Sequence, residues 1–129
     1  MTDPAPLLRM VDLAVEYPGL HGHPPVRAVA GVSFDLLPGE TVGLVGESGC
    51  GKSTIARAIT QLVAPTAGQV WLGGVDLCTL HGERLRQTRR DVQLVFQDPF
   101  ASLDPRLTAA AIVAEPLRCC ATAKAVALE

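Results

Sequence analysis

No apolar run in this chain approaches the roughly 18 residues that a membrane-spanning helix requires, so the sequence reads as having no direct membrane span. The acidic, proline-bearing start does not resemble a signal peptide either. Cysteine is sparse. Cys50, Cys78, Cys119 and Cys120 form no C-x-x-C pair and no Cys/His cluster at zinc spacing, which sets aside a disulfide framework and a structural zinc. Basic excess is missing as well: 11 Lys and Arg stand against 13 Asp and Glu, for a net charge of −2, and such a chain offers nucleic acid no field. No internal repeat or low-complexity tract interrupts it. What remains is a 129-residue chain with 48% hydrophobic residues, enough for the core of one domain, expected in the cytosol.

The chain is organised around Gly46-Glu47-Ser48-Gly49-Cys50-Gly51-Lys52-Ser53-Thr54, which fits G-x-x-x-x-G-K-S/T. The pattern carries meaning only between a strand and a helix. Residues 41–45, opened by a Pro38-Gly39-Glu40 turn, form a short apolar run expected to be a buried parallel strand. From Lys52 onward, Ile55, Ala58, Ile59, Leu62 and Val63 make the stripe of an amphipathic helix that should stop near Pro65. Gly46, Gly49 and Gly51 let the backbone take positive φ and approach a ligand closely. Successive N–H groups can then converge on a polyphosphate at the helix N-terminus, where unpaired donors and the macrodipole favour negative charge. Lys52 is placed for the β and γ phosphates, and the Ser53 hydroxyl for Mg²⁺. Cys50, at the same helix start, is either a reactive thiol or a small residue that suits the loop; the residues favour the second.

Before this loop, residues 7–17 suggest a half-buried strand, alternating apolar and polar from Val11 to Glu16. It ends at Tyr17, which can stack on a purine or simply close the strand at a Pro-Gly turn. His21 and His23 sit in a loop dense in turn formers and read as solvated rather than metal-binding. Residues 27–37 place Val32, Phe34 and Leu36 on one face of a second strand, antiparallel to the first. After the loop's helix, residues 69–74 form a further strand. The arginines at 84, 86, 89 and 90 read as a solvated helical face before a partner patch. Residues 91–96 are expected as a strand. Prolines 99 and 105 forbid regular helix in the segment that follows, and Thr108 is a plausible N-cap for a helix over 109–117 interrupted by Pro116.

Together, the nonapeptide at 46–54 and Val95-Phe96-Gln97-Asp98-Pro99-Phe100-Ala101-Ser102-Leu103-Asp104-Pro105-Arg106 resemble the ATP-binding subunit of an ABC transporter. Residues 28–34 and 114–118 place the resemblance in the oligopeptide, dipeptide and nickel importer branch. It covers residues 7–118 and implies an α/β P-loop NTPase: an antiparallel β subdomain and a phosphate-loop strand-helix unit, with 1–6 a disordered start, 7–107 part of the ATP-binding core, and 108–129 the start of a helical subdomain. The cofactors it implies are ATP and Mg²⁺. Tyr17 matches the aromatic that stacks on adenine. Gln97 matches the Q-loop glutamine, which helps ligate Mg²⁺ with Ser53 and touches the permease. Implied partners are membrane permease subunits and a second ATP-binding subunit, with the chain peripheral on the cytoplasmic side of the membrane and cytosolic if unassembled.

The departures are specific. No L-S-G-G-Q signature, no strand ending in Asp-Glu and no switch histidine follows Gln97. Leu72-Gly73-Gly74 imitates the signature on the wrong side of it, and His81 precedes it. The chain therefore resembles the N-terminal half of a nucleotide-binding domain, as a split gene, a frameshift or an incomplete sequence would leave it. The expectation is weak ATP binding without turnover, an interaction-only fragment as the alternative, and residues 41–45 left as an unpaired edge. A phosphate-loop kinase or GTPase is set aside by the Gln97 segment and by the lack of a base-specificity motif or lid.

Overall fold

The computed structural model describes residues 5–19, 22–98 and 102–120, with side chains to Pro116. The chain divides into two compact units, Met1–Val92 and Gln93–Glu129.

In the first unit, β1 (Leu8–Tyr17), β2 (Val26–Leu36), β3 (Ala67–Leu72) and β4 (Val75–Asp76) build one sheet in the order β2-β1-β3-β4. Every neighbouring pair is antiparallel, which bears out the antiparallel β subdomain. The helix α1 (Lys52–Ile59) supplies Ile55 and Ala58 to a core made with Leu8, Met10, Leu13, Val15, Val29, Val70 and Leu77. Each of the larger of these side chains contributes about 1.5–3 kcal/mol by leaving water. Val32, Phe34 and Leu36 pack against this core from β2, as their shared face requires.

The alternation along β1 is broken where the sequence reads as unbroken. Leu8 and Met10 point inward, and so do Leu13 and Val15, while Val11 stays exposed. Asp12 is the cause. Its φ of 47° goes with one extra residue, between Met10 and Leu13 against β2 and between Val11 and Ala14 against β3, a β-bulge that resets which parity faces the core. The Ser33 hydroxyl steadies it, accepting the Asp12 N–H at 2.8 Å and donating to the Asp12 carboxylate at 3.2 Å.

Helix α1 ends at Ile59 rather than near Pro65, because a local closure stops it first. Gln61 is left-handed at φ 56°; its N–H reaches the Ala58 carbonyl at 3.0 Å and the Leu62 N–H reaches that of Arg57 at 2.8 Å. That pair of bonds is a Schellman closure. Thr60 Oγ1 reinforces it by donating to the carbonyls of Ala56 and Arg57. Leu62 is consequently 52% exposed.

Two expected strands do not form. Residues 41–45 follow the Leu37–Glu40 turn, in which Gly39 takes φ 77°, but join no ladder and are exposed throughout. A parallel strand exists only by its neighbours, and none lies beside this segment among the described residues. Residues 91–96 likewise carry no strand, and Val95 is 91% exposed. Of the arginines of 84–90, Arg84 and Arg86 lie exposed on α2 (Gly82–Thr88), as a solvated face requires, whereas Arg89 and Arg90 follow it and depart from that reading: Arg89 binds carbonyls at the end of α1, and Arg90 has a buried Nε.

In the second unit, Asp104 accepts the Arg106 N–H at 3.0 Å and pairs with its guanidinium in a turn. The Thr108 hydroxyl then accepts the Ala111 N–H at 3.2 Å, the expected N-cap of α3 (Ala109–Cys120). Pro116 lies inside that helix without interrupting it; it removes one N–H from the ladder, and the helix runs on to Cys120. Residues 1–4 and 121–129, and with them most of the expected disordered start and the end of the expected helical subdomain, lie outside the described residues.

Candidate functional site

The loop at 46–51 is built by glycine geometry. Gly49 and Gly51 have φ of 82° and 95°, which place them in the left-handed region, and Gly51 is the N-cap of α1. A Cβ on Gly51 would lie 2.4 Å from the Ala28 carbonyl, so the loop runs hard against β2. One on Gly46 would meet Cys50 Sγ at 2.7 Å and would stand 4.0 Å from Lys52 Nζ. The backbone at these positions therefore curls around the space that Lys52 enters.

Lys52 folds back into that curl. Its ammonium donates to the carbonyl of Gly46 at 2.7 Å and to that of Glu47, and approaches Cys50 Sγ at 3.3 Å. The Cys50 N–H closes on the Glu47 carbonyl at 3.4 Å. The first intrahelical bond of α1 runs from the Ile55 N–H to the Gly51 carbonyl at 2.9 Å. The amides of Lys52, Ser53 and Thr54 precede it and have no carbonyl of the helix to meet. A fixed cation, free amides and a helix N-terminus thus share one side of the loop, a donor set that suits a polyphosphate and no cationic ligand. Ser53 is exposed at this rim and offers a hydroxyl oxygen of the kind that suits Mg²⁺.

The residues singled out in the sequence are brought together unequally. Glu47, Ser48 and Cys50 are exposed on the loop, whereas Thr54 turns inward and is 9% exposed. Its Oγ1 lies 3.4 Å from the Tyr17 hydroxyl, so the end of β1 is tied to the first turn of α1. Sequence reading linked Tyr17 to the loop only through the family resemblance; no spacing signals this contact across 37 positions. Gln97 belongs to the second unit, where it is exposed. His21 lies outside the described residues, His23 is exposed, and no group of three metal-binding side chains exists among the described residues.

Sequence reading took Arg89 for part of a solvated face, and the structure corrects this. The Arg89 guanidinium donates to the carbonyl of Thr60 at 3.2 Å and to that of Gln61 at 2.6 Å, the two residues that close the C-terminal end of α1. A cation near a helix C-terminus is favoured by the macrodipole, but local spacing cannot reveal one supplied from another element. Elsewhere the ionisable groups are structural. The Arg9 guanidinium holds the Asp35 carboxyl below the usual carboxylate range through a bond of 2.7 Å, and burial pushes the Cys78 thiol up. No helix among the described residues is long and apolar enough to cross a membrane.

Known proteins share this arrangement. A family model described as ABC transporter matches residues 29–127. The oligopeptide transport ATP-binding protein OppF of Salmonella typhimurium is 51% identical over 120 residues, covering 87% of this chain and 36% of its own length. The glutathione import ATP-binding protein GsiA of Pectobacterium atrosepticum is 50% identical over 117 residues, again 87% of this chain but 19% of its own. Among solved structures, the dimeric structure of MJ0796, a bacterial ABC transporter cassette, superposes with a TM-score of 0.78 at 28% identity, over 93% of this chain and 50% of that one. The same cassette in a post-hydrolysis state bound to ADP and Pi gives 0.77. The chain spans at most about a third of these curated relatives and half of the solved cassette. A family match over most of its length, relatives at half identity and a shared cassette fold together establish that this chain belongs to the ABC transporter family.

Proposed function

We propose that the chain is the phosphate-gripping part of an ATP-binding subunit of a peptide-type importer and holds Mg-ATP at residues 46–54. The observation that carries this is the Lys52 ammonium folded onto the Gly46 and Glu47 carbonyls inside a loop where Gly46 and Gly51 leave no room for a Cβ. A phosphate entering there exchanges two neutral acceptors for an anion, a stronger partner for an ammonium. The free amides of the first α1 turn would hold phosphate oxygens, and Ser53 would ligate Mg²⁺, which supplies charge neutralisation when bound. Tyr17 supports adenine stacking because β1 ends beside α1, its hydroxyl on Thr54. Gln97 would ligate Mg²⁺ and report nucleotide state to membrane permease subunits, with residues 108–129 as the start of a helical subdomain that faces them. A second ATP-binding subunit and a peripheral place on the cytoplasmic side of the membrane complete the reading, supported by relatives that are import ATP-binding proteins and by a dimeric cassette structure.

Calorimetry with Mg-ATP tests this: heat of binding from the 129-residue chain, lost in Lys52→Ala, supports the reading, and equal heats from both refute it.

A further inference from the structure

We propose that Thr66, in the loop between α1 and β3, is a positioning residue for the base of a nucleotide held at residues 46–54, acting through Tyr17; this rests on the reading of those residues as a Mg-ATP site. The far end of β1 is the part of that strand its neighbours hold least. Against β3 the ladder stops at Ala14, paired with Ala67, and against β2 the register shifts between Val15 and Glu16. Tyr17 lies past both, the last residue of the strand, with Pro18-Gly19 after it. A ring offered to a base from such an end frays with the strand unless something else fixes it.

Thr66 takes up where β3 stops. Its N–H donates to the Ala14 carbonyl at 2.8 Å, and its hydroxyl accepts the Glu16 N–H, also at 2.8 Å. The two bonds carry the pairing of that edge of β1 beyond Ala14, to the residue beside Tyr17. From β2, Arg27 holds the Glu16 carboxylate at 2.9 Å. Tyr17 itself packs against the core, its hydroxyl 3.4 Å from Thr54 Oγ1. That contact is long for a pair of hydroxyls, where about 2.7–2.8 Å is usual, so the Thr66 bonds are the firmer tie between the strand end and the segment around α1. Thr66 belongs neither to the phosphate loop nor to the ring, and it therefore acts on the contribution of the base alone. A residue that merely stabilised the fold would affect a phosphate chain with or without a base.

Calorimetry with Mg-ATP and with Mg-tripolyphosphate, which has no base, separates the two. Thr66→Val keeps the backbone N–H and the volume but removes the hydroxyl acceptor; it should weaken Mg-ATP about three- to tenfold, the worth of one hydrogen bond, and leave Mg-tripolyphosphate unchanged. Thr66→Ser should restore Mg-ATP binding, and Thr66→Ala is measured beside Thr66→Val as a second removal of the same acceptor. A partly unfolded chain lowers both affinities by one factor, so their ratio reads positioning and not stability. In a Tyr17→Ala chain, where the ring is gone, Thr66→Val should cost nothing further. Tyr17 is the only tyrosine, so fluorotyrosine labelling gives a single resonance, which Mg-ATP should move in the unaltered chain and move less in Thr66→Val. Unchanged Mg-ATP affinity in both removals, equal losses for the two ligands, or an undiminished loss in the Tyr17→Ala background overturns the proposal while the Mg-ATP site stands. An unaltered chain that binds neither ligand refutes the site itself, and the role of Thr66 with it.

Discussion

Three glycines of the first unit allow the loop geometry to be tested as a graded series. Gly43, Gly39 and Gly51 differ in whether φ is positive and in what an added Cβ would meet. At Gly43 neither applies, so Gly43→Ala should leave stability unchanged or raise it by about 0.4–1 kcal/mol through the unfolded chain. At Gly39, φ is 77° and the space is open, so Gly39→Ala carries only the left-handed strain, about 1–2 kcal/mol. Gly51 has the same strain at φ 95°, plus a Cβ at 2.4 Å from the Ala28 carbonyl, a backbone atom of β2. That overlap must be relieved by moving the loop, which brings the total for Gly51→Ala to about 2–4 kcal/mol, a sizeable part of a domain's 5–15. Urea unfolding of the three variants reads the series as midpoint changes at constant slope. The affinity for Mg-ATP should fall for Gly51→Ala and not for Gly39→Ala, because only the former displaces the loop. If Gly51→Ala is no less stable than Gly39→Ala, the close approach of loop to sheet is not a structural determinant and the argument fails.

Removing the ammonium in Lys52→Ala should weaken Mg-ATP binding by about 1.5–3 kcal/mol, the worth of a hydrogen bond to a charged group, and calorimetry or fluorescence titration reads it directly. In a chain with Cys119 and Cys120 replaced by serine, a maleimide should label exposed Cys50 first, and Mg-ATP should slow that labelling; Cys78, whose thiol burial pushes up, should label slowly either way. Labelling of Cys50 that ignores Mg-ATP would place the ligand elsewhere. Arg89→Ala should lower stability by about 1–2 kcal/mol while Arg89→Lys retains part of it, since the guanidinium caps carbonyls at the end of α1. The Asp35 carboxyl, held low by Arg9, should favour the folded state above its unfolded pKa of about 3.9. That contribution is lost as pH falls through the lower folded value, and Arg9→Met should abolish it; an NMR titration in which Asp35 behaves alike in both chains would contradict the pairing.

Much of this molecule was legible because its signals are local. The nonapeptide names its own loop, the shared face of Val32, Phe34 and Leu36 names β2, and Thr108 caps α3 as a lone side chain can. What escaped reading depends on partners distant in sequence. The expected strand at 41–45 has strand composition but no neighbour, and composition alone makes no ladder. The closure of α1 at Gln61 and its tie to Arg89 unite residues 28 positions apart, beyond any periodicity. Tyr17 met Thr54 for the same reason. The site was thus readable in its chemistry and unreadable in its bracing.

The bulge at Asp12 makes the parity of β1 depend on a single residue. Deleting Asp12 would do more than shorten a strand: it would turn either Leu8 and Met10 or Leu13 and Val15 outward, exchanging half of the buried stripe for solvent. The same position is thereby protected against length variation more strictly than against substitution, so Asp12→Asn or Asp12→Gly should be borne easily where a one-codon deletion is not.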